Sequence, residues 1–165
     1  MAFDTFLKLD GIDGESTASG MEGQIEIYSF SWGASNPTTV SSGQAGLSAG
    51  KVSISSFNVM KKTDKSSCNL FADCCAGQHI ATATVTMRKA TGTSGAQQAF
   101  LVYTFTDVMV ESVQWSGSSG GDDTPTESVS FAFAKVAIEY STQDTESGSM
   151  SPAGNASWDL TKVSK

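Results

Sequence analysis

Apolar and polar residues alternate along most of this chain, but three times the alternation changes phase in mid-run. From Gly23 to Trp32, Ile25 and Ile27 share one face of an extended strand, while Tyr28, Phe30 and Trp32 share the other. From Lys51 to Met60 the apolar set passes from Val52 and Ile54 to Phe57 and Val59 across Ser55-Ser56. From Glu127 to Tyr140 it passes from Val129, Phe131 and Phe133 to Val136, Ile138 and Tyr140. A one-residue phase change sends side chains to the opposite face of a sheet. Three such changes predict bulges, or strands that cross between sheets at a corner, as in barrels and orthogonal sandwiches. A strand buried on both faces, one against the core and one against a neighbouring subunit, would give the same pattern.

The other segments fit a mostly β chain. Phe3 to Leu9 reads as a first strand. Ile80 to Lys89 alternates Ala81, Ala83, Val85 and Met87 with Thr82, Thr84, Thr86 and Arg88. Phe100 to Trp115 reads as one long or interrupted strand, closed by the Gly117 to Gly121 turn, and Trp158 to Leu160 as a short last one. The one helix expected spans Lys65 to Ala76, with Asp64 or Ser67 as its cap and Gly77 at its left-handed end. Leu70, Phe71, Cys74 and Cys75 would form its apolar stripe. Between Gly33 and Gly50 only Val40 and Leu47 are large and apolar, which predicts a long extended loop of functional importance. Thr142 to Ala156 is a second polar stretch. The fold class expected is therefore mostly β: a barrel-like fold of two sheets with one flanking α-helix and a long extended loop. It would occupy residues 1–165 as a single domain without internal repeats or a C-terminal effector extension.

Composition narrows the function. At 165 residues the chain can bury a full core. Net charge is −7, and the basic residues are all Lys except Arg88. Nucleic-acid readers lean on Arg, so nucleic acid is not an expected partner. No apolar run approaches the ~20 residues that span a bilayer, so membrane insertion is not expected. MAFDTFLKLDG lacks a basic region followed by an apolar one, so no signal peptide is read there. The odd count of three cysteines (Cys68, Cys74, Cys75) then suggests reduced thiols in a cytoplasmic compartment.

The catalytic inventory is empty. Cys68, Cys74, Cys75 and His79 lack the knuckle spacing of a structural zinc site, so no metal is expected, and Cys74 and Cys75 read as small core residues. His79, just past the helix, could complement the helix dipole. A single histidine and no GxSxG elbow leave no triad, and Gly50-Lys51 is followed by Val52 rather than the Ser or Thr of a phosphate loop. Asp122 and Asp123 in a Gly/Ser-rich loop read as turn chemistry, as do Asp10-Gly11 and Asp13-Gly14. No catalytic residue and no cofactor are expected.

A succession of short motifs gives a sharper reading. The segment from Phe3 to Ser16 ends in FLKLDGIDGES, and EIYSFSWG (Glu26 to Gly33), KKTDKSS (Lys61 to Ser67) and GQHI (Gly77 to Ile80) follow it. MRKA (Met87 to Ala90), TPTESVSFAF (Thr124 to Phe133) and WDL (Trp158 to Leu160) complete the order. In order and spacing this resembles the haemolysin-coregulated protein family, Hcp, the tube protein of bacterial type VI secretion. The resemblance implies a structural, secreted protein: a homohexameric ring that stacks into a tube, meets sheath and spike components, and carries effector proteins in its lumen. It also implies residence in the bacterial cytoplasm and export without a signal peptide. The loop with Gly33, Val40, Gly43, Gly46, Leu47 and Gly50 would then reach neighbouring subunits, and Ser29 and Ser31, opposite the aromatic face, would line the lumen. A phage-like tail-tube protein is the near alternative. A carbohydrate-binding β-sandwich using Trp32, Trp115 and Trp158 is the distant one.

Overall fold

A computed structural model describes residues 2–43, 46–92, 95–121 and 123–165. Asp122, and with it the Asp122/Asp123 pair, lies outside them. Six strands make the wall of a nearly closed, barrel-like sheet: β1 (Asp4–Leu9), β2 (Ile25–Ile27) continued by β3 (Ser29–Ser31), β8 (Phe57–Lys62), β9 (His79–Ala90), β10 (Gln97–Ser116) and β11 (Thr126–Gln143). Neighbours run in the order β2-β1-β9-β10-β11-β8-β3, all antiparallel. Because β2 and β3 are one segment interrupted at Tyr28, the two ends of that order meet and the sheet closes. Tyr28 itself donates its N–H to the Met60 carbonyl (2.8 Å).

Each predicted phase change lies where a strand changes partner. Ile25 and Ile27 are buried while the segment pairs with β1; beyond Tyr28, which is exposed rather than inward as expected, Phe30 turns inward as the segment pairs with β8. At Ser55 the chain leaves the ribbon of β4 (Ala34–Ser35) and β7 (Ser53–Ile54) for the main sheet. Ser55 fixes that corner by exchanging backbone and side-chain hydrogen bonds with Gly33 (2.9–3.2 Å). On β11 the residues through Phe131 pair with β8, and those from Lys135 pair with β12 (Met150–Asp159). A fourth change, unread in the sequence, crosses β9 and β10. Phe105 and Val108 are both buried around Asp107, whose φ is +54°, and Ile80 and Ala83 are both buried around an exposed Ala81. Ala81 thus leaves the inward set expected of it.

The core these strands enclose is aromatic at one level. Phe57, Phe105 and Phe131 are fully buried, with Phe57 and Phe105 centroids 4.7 Å apart and Phe105 and Phe133 4.6 Å apart. Trp32 stands edge-on to Tyr103 (5.2 Å) and Phe105 (5.6 Å). Burial pushes the Tyr103 phenol pKa up. Each fully buried aromatic or aliphatic side chain contributes about 1.5–3 kcal/mol.

Between β1 and β2 the chain folds over the outer face of the barrel. Arg88 holds it there: its guanidinium stacks on Phe6 (4.9 Å) and donates to the Ser19 carbonyl (2.8 Å). Glu22 accepts the Gly20 N–H (3.0 Å), and backbone hydrogen bonds from Glu22 and Gly20, with Arg88 nearby, hold its carboxyl below the usual range. Gly14 donates to Gly23 O (2.8 Å) so closely that a Cβ would sit 2.4 Å from Gln24 O.

Three expectations need correction. Gly33 to Gly50 is a β-hairpin arm, with β5 (Thr38–Val40) paired to β6 (Leu47–Ala49) beyond the β4–β7 ribbon. Thr142 to Ala156 is mostly the hairpin joining β11 to β12, so the last strand is ten residues long. Both were invisible to alternation because exposed faces leave no apolar period, while ladder hydrogen bonds require none. Helix α1 (Ser66–Ala76) buries Ser66, Ser67 and Leu70 rather than the expected stripe; Phe71 and Cys75 are exposed. Gly77 does terminate it in the left-handed conformation (φ 64°), with Gln78 N–H closing onto Asp73 O (3.0 Å).

The approach at Gly14 gives a test. Gly14→Ala forces a methyl into the backbone of Gln24 and should destabilise the fold by about 3 kcal/mol, the upper end for overpacking. Gly33→Ala, with no atom within 4 Å of the added carbon, should shift the denaturation midpoint little. Urea unfolding of both variants checks this, and equal midpoints would refute it.

Candidate assembly interface

The arm is built to stand away from the barrel. At its base Gly50 N–H donates to Pro37 O (2.7 Å) and to Asn36 Oδ1 (2.9 Å). A Cβ at Gly50 would lie 2.7 Å from Pro37 Cγ, so only glycine fits. Toward the tip, Ser41 N–H reaches Gly46 O (3.0 Å), Gly43 N–H reaches Ser41 Oγ (3.2 Å), and Gly46 takes φ +59°. Val40 and Leu47 are cross-strand partners, 80% and 71% exposed. No charged residue occurs between Glu26 and Lys51. Gly33 anchors the other side of the base through Ser55. The six loop residues singled out in the sequence thus fall at the base, the ladder and the turn of one hairpin.

Ser29 and Ser31 are exposed on β3, opposite Met60 and Asn58 of β8. Phe30 between them points the other way, onto Phe57 (6.0 Å) and Tyr103 (5.7 Å). The two serines therefore share the outward face of β3, with the exposed Met60 of β8 beside Ser29.

At the far end of β8 lies a feature that the motif inventory missed. Lys61 and Glu127 are both fully buried and directly opposed on β8 and β11. Lys61 Nζ pairs with Glu127 Oε2 and with Asp64 Oδ1 (2.9 Å), and donates to Ser67 Oγ (3.1 Å) and the Lys62 carbonyl (3.0 Å). Ser67 Oγ donates to Glu127 Oε2 (2.8 Å) and accepts the Asp64 N–H (3.0 Å), while Asp64 Oδ1 accepts the Ser66 N–H (2.9 Å). These bonds tie the residues that lead into the helix, but the N-cap position itself falls on Lys65, which makes no side-chain cap, rather than on Asp64 or Ser67 as expected. The signal was present in the alternation: Lys61 is in phase with Phe57 and Val59, and Glu127 with Val129 and Phe131.

Cys68 and Cys75 are exposed and Cys74 half-buried against the core; His79 is exposed at the start of β9. Among the described residues no group of three metal-ligating side chains converges, and no helix is long and apolar enough to cross a membrane. The three tryptophans have separate surroundings: Trp32 in the aromatic core, Trp115 half-exposed against Phe71, and Trp158 with its indole nitrogen buried.

Comparison with known proteins agrees with this architecture. The family model for "Type VI secretion system effector, Hcp" matches residues 6–140. Protein hcp1 of Pseudomonas aeruginosa is 34% identical over 143 residues, 87% of this chain and 86% of that protein. A solved structure of a type six secretion system protein superposes with TM-score 0.90 at 39% identity, covering 98% of both chains. Hcp1 from Salmonella typhimurium superposes with TM-score 0.78 at 35% identity, covering 99% of both. The chain belongs to the Hcp family of type VI secretion proteins.

The buried charge cluster generates the next expectation. Glu127→Ala leaves the Lys61 ammonium buried without its main counter-charge and should cost about 3–5 kcal/mol. Lys61→Met combined with Glu127→Leu removes both charges and should recover most of that loss. Guanidinium unfolding of the two variants decides it: a double variant as unstable as the single one would mean that the pair is not a charge-compensated unit.

Proposed function

We propose that this Hcp-family chain is the tube subunit of a type VI secretion machine: a single-domain protomer, six copies of which close into a ring that stacks with others. The observation that carries this reading is the arm, a charge-free hairpin whose cross-strand pair, Val40 and Leu47, stays 80% and 71% exposed. A ring forms when one surface of a protomer fits a different surface of the next and the rotation closes. Exposed apolar groups at the end of a projecting element supply one of those surfaces. The role is structural rather than catalytic. The protein is made in the bacterial cytoplasm, meets sheath and spike components there, and leaves the cell with the machine. Effector proteins travel in the lumen, and Ser29 and Ser31 line it: short hydroxyls give a polar wall to which folded cargo does not adhere.

Two measurements test this. Replacing residues 35–49 by a short Gly/Ser turn should leave the barrel folded, since the arm contributes nothing to the core, while tubes are lost first and rings weakened. Circular dichroism and sedimentation read the two effects; unchanged ring mass and tube yield would remove the arm from assembly. In a background with Cys68, Cys74 and Cys75 replaced by Ser, cysteine in place of Ser29 or Ser31 should react with a small maleimide in the assembled ring, and cysteine in place of Phe30 should not. Equal protection at all three positions would take the serines out of the lumen.

A further inference from the structure

The core thins out toward the end of the barrel where β9 and β11 finish. Met87, Leu101 and Tyr140 form one row across β9, β10 and β11. Met87 is buried and Leu101 packs on the core, but Tyr140 is 44% exposed. Beyond that row the residues in phase with Met87 and Tyr140 are polar, Lys89 and Thr142. There the wall opens into a concavity of about 530 Å³. Barrel mouths are recurrent ligand sites, and the volume lies within the range of small-molecule pockets.

The mouth is held in shape by hydrogen bonds at its rim, where the end of β9 meets the hairpin joining β11 to β12. Gln143 Nε2 donates to the Thr91 carbonyl (3.0 Å) and ties the two together. In the hairpin turn the Asp144 carboxylate accepts the Glu146 and Ser147 N–H groups (2.7 and 2.9 Å), and the Asp144 carbonyl accepts the Gly148 N–H (3.0 Å). The Ser147 and Glu146 backbone hydrogen bonds hold the Asp144 carboxyl below its usual range. A rim fixed in this way needs little ordering when a ligand enters.

With the Asp144 carboxylate engaged by its own turn, Lys89 and Glu146 set the charge of the mouth, one of each sign. A charged ligand therefore meets no surplus of opposite charge, and an apolar one meets a single aromatic ring. A neutral saccharide matches both features. The C–H face of a pyranose packs on an aromatic ring, and its hydroxyls need donors and acceptors around that ring. Tyr140 is the ring; the Thr142 hydroxyl, the Gln143 side-chain oxygen, Lys89 and Glu146 surround it. None of the three tryptophans lines the concavity.

We propose that this barrel mouth is a saccharide-binding site, with Tyr140 as the stacking platform and Lys89, Thr142, Gln143 and Glu146 as the hydrogen-bonding rim. The site is independent of the tube reading, since neither the arm nor Ser29 and Ser31 takes part in it.

Saturation-transfer NMR on the full chain, with maltose and with N,N′-diacetylchitobiose, tests this. Transfer to the ring protons of at least one disaccharide is expected, with a Kd of roughly 1 mM. Tyr140→Ala should weaken binding about tenfold, and Tyr140→Phe, which keeps the platform, should bind as the unmodified chain does. Thr142→Arg fills the concavity from an exposed position and should abolish transfer; it keeps the test decisive if Tyr140→Ala fails to fold, which circular dichroism reads. No transfer to either disaccharide would overturn the site, and so would transfer that persists unchanged in either folded variant. Ring mass and tube yield are unaffected by each of these outcomes, so the tube reading stands or falls separately.

Discussion

A short segment, residues 25–31, has to close the barrel by serving two partner strands in succession. Three residues pair with β1, three with β8, and Tyr28 turns the chain between them. Closure removes the free edges that an open six-stranded wall would present. It also demands that the inward face shift by one residue at the turn, because a segment crossing from one side of the seam to the other cannot keep its pleat in phase with both neighbours. The break at Asp107 serves the same geometry across the wall. A residue at φ +54° in a long strand costs free energy, and it persists because the strands on either side hold their register through it. The arm is a consequence as well: once β3 has closed the seam, the chain has no further position in the wall until β8, and the intervening residues are extruded as a hairpin.

The second organising feature is electrostatic. A buried lysine and glutamate facing each other stabilise the fold only if their remaining hydrogen-bonding capacity is met. Ser67, Asp64 and the Lys62 carbonyl meet most of it, and two of these belong to the entry of α1. The helix is therefore docked by polar groups and only one fully buried apolar side chain, Leu70. Phe71 and Cys75 are displaced to solvent. Two of the short motifs by which the family is recognised, KKTDKSS and TPTESVSFAF, meet in this one cluster.

Much of this was legible in the sequence because burial imposes a period. The wall strands, their phase changes and the Gly77 stop could be read off with boundaries close to those observed. What escaped had no such imprint. The arm and the β11–β12 hairpin are exposed on both faces, so their pairing leaves no alternation. The helix misled for the opposite reason: Leu70, Phe71, Cys74 and Cys75 have helical spacing, but the side that faces the barrel is chosen by Lys61 and Glu127, which are distant in sequence. Reading those two charges as inward-facing, as their phase with Val59 and Val129 requires, would have placed Ser67 inside and Phe71 outside.

Low charge density and net acidity work together here. Only 16% of residues are charged, and their excess is negative, so copies in solution repel over roughly a Debye length, ~8 Å at physiological salt. The arm, with no charged residue between Glu26 and Lys51, carries none of that charge. Repulsion therefore acts on random encounters, while a contact made through the uncharged arm adds none of it. Such a surface disfavours amorphous aggregation without weakening ordered growth, because apolar attraction is short-ranged and is felt only in register. A protein that must stay dispersed until it joins an assembly needs that separation between general repulsion and local attraction.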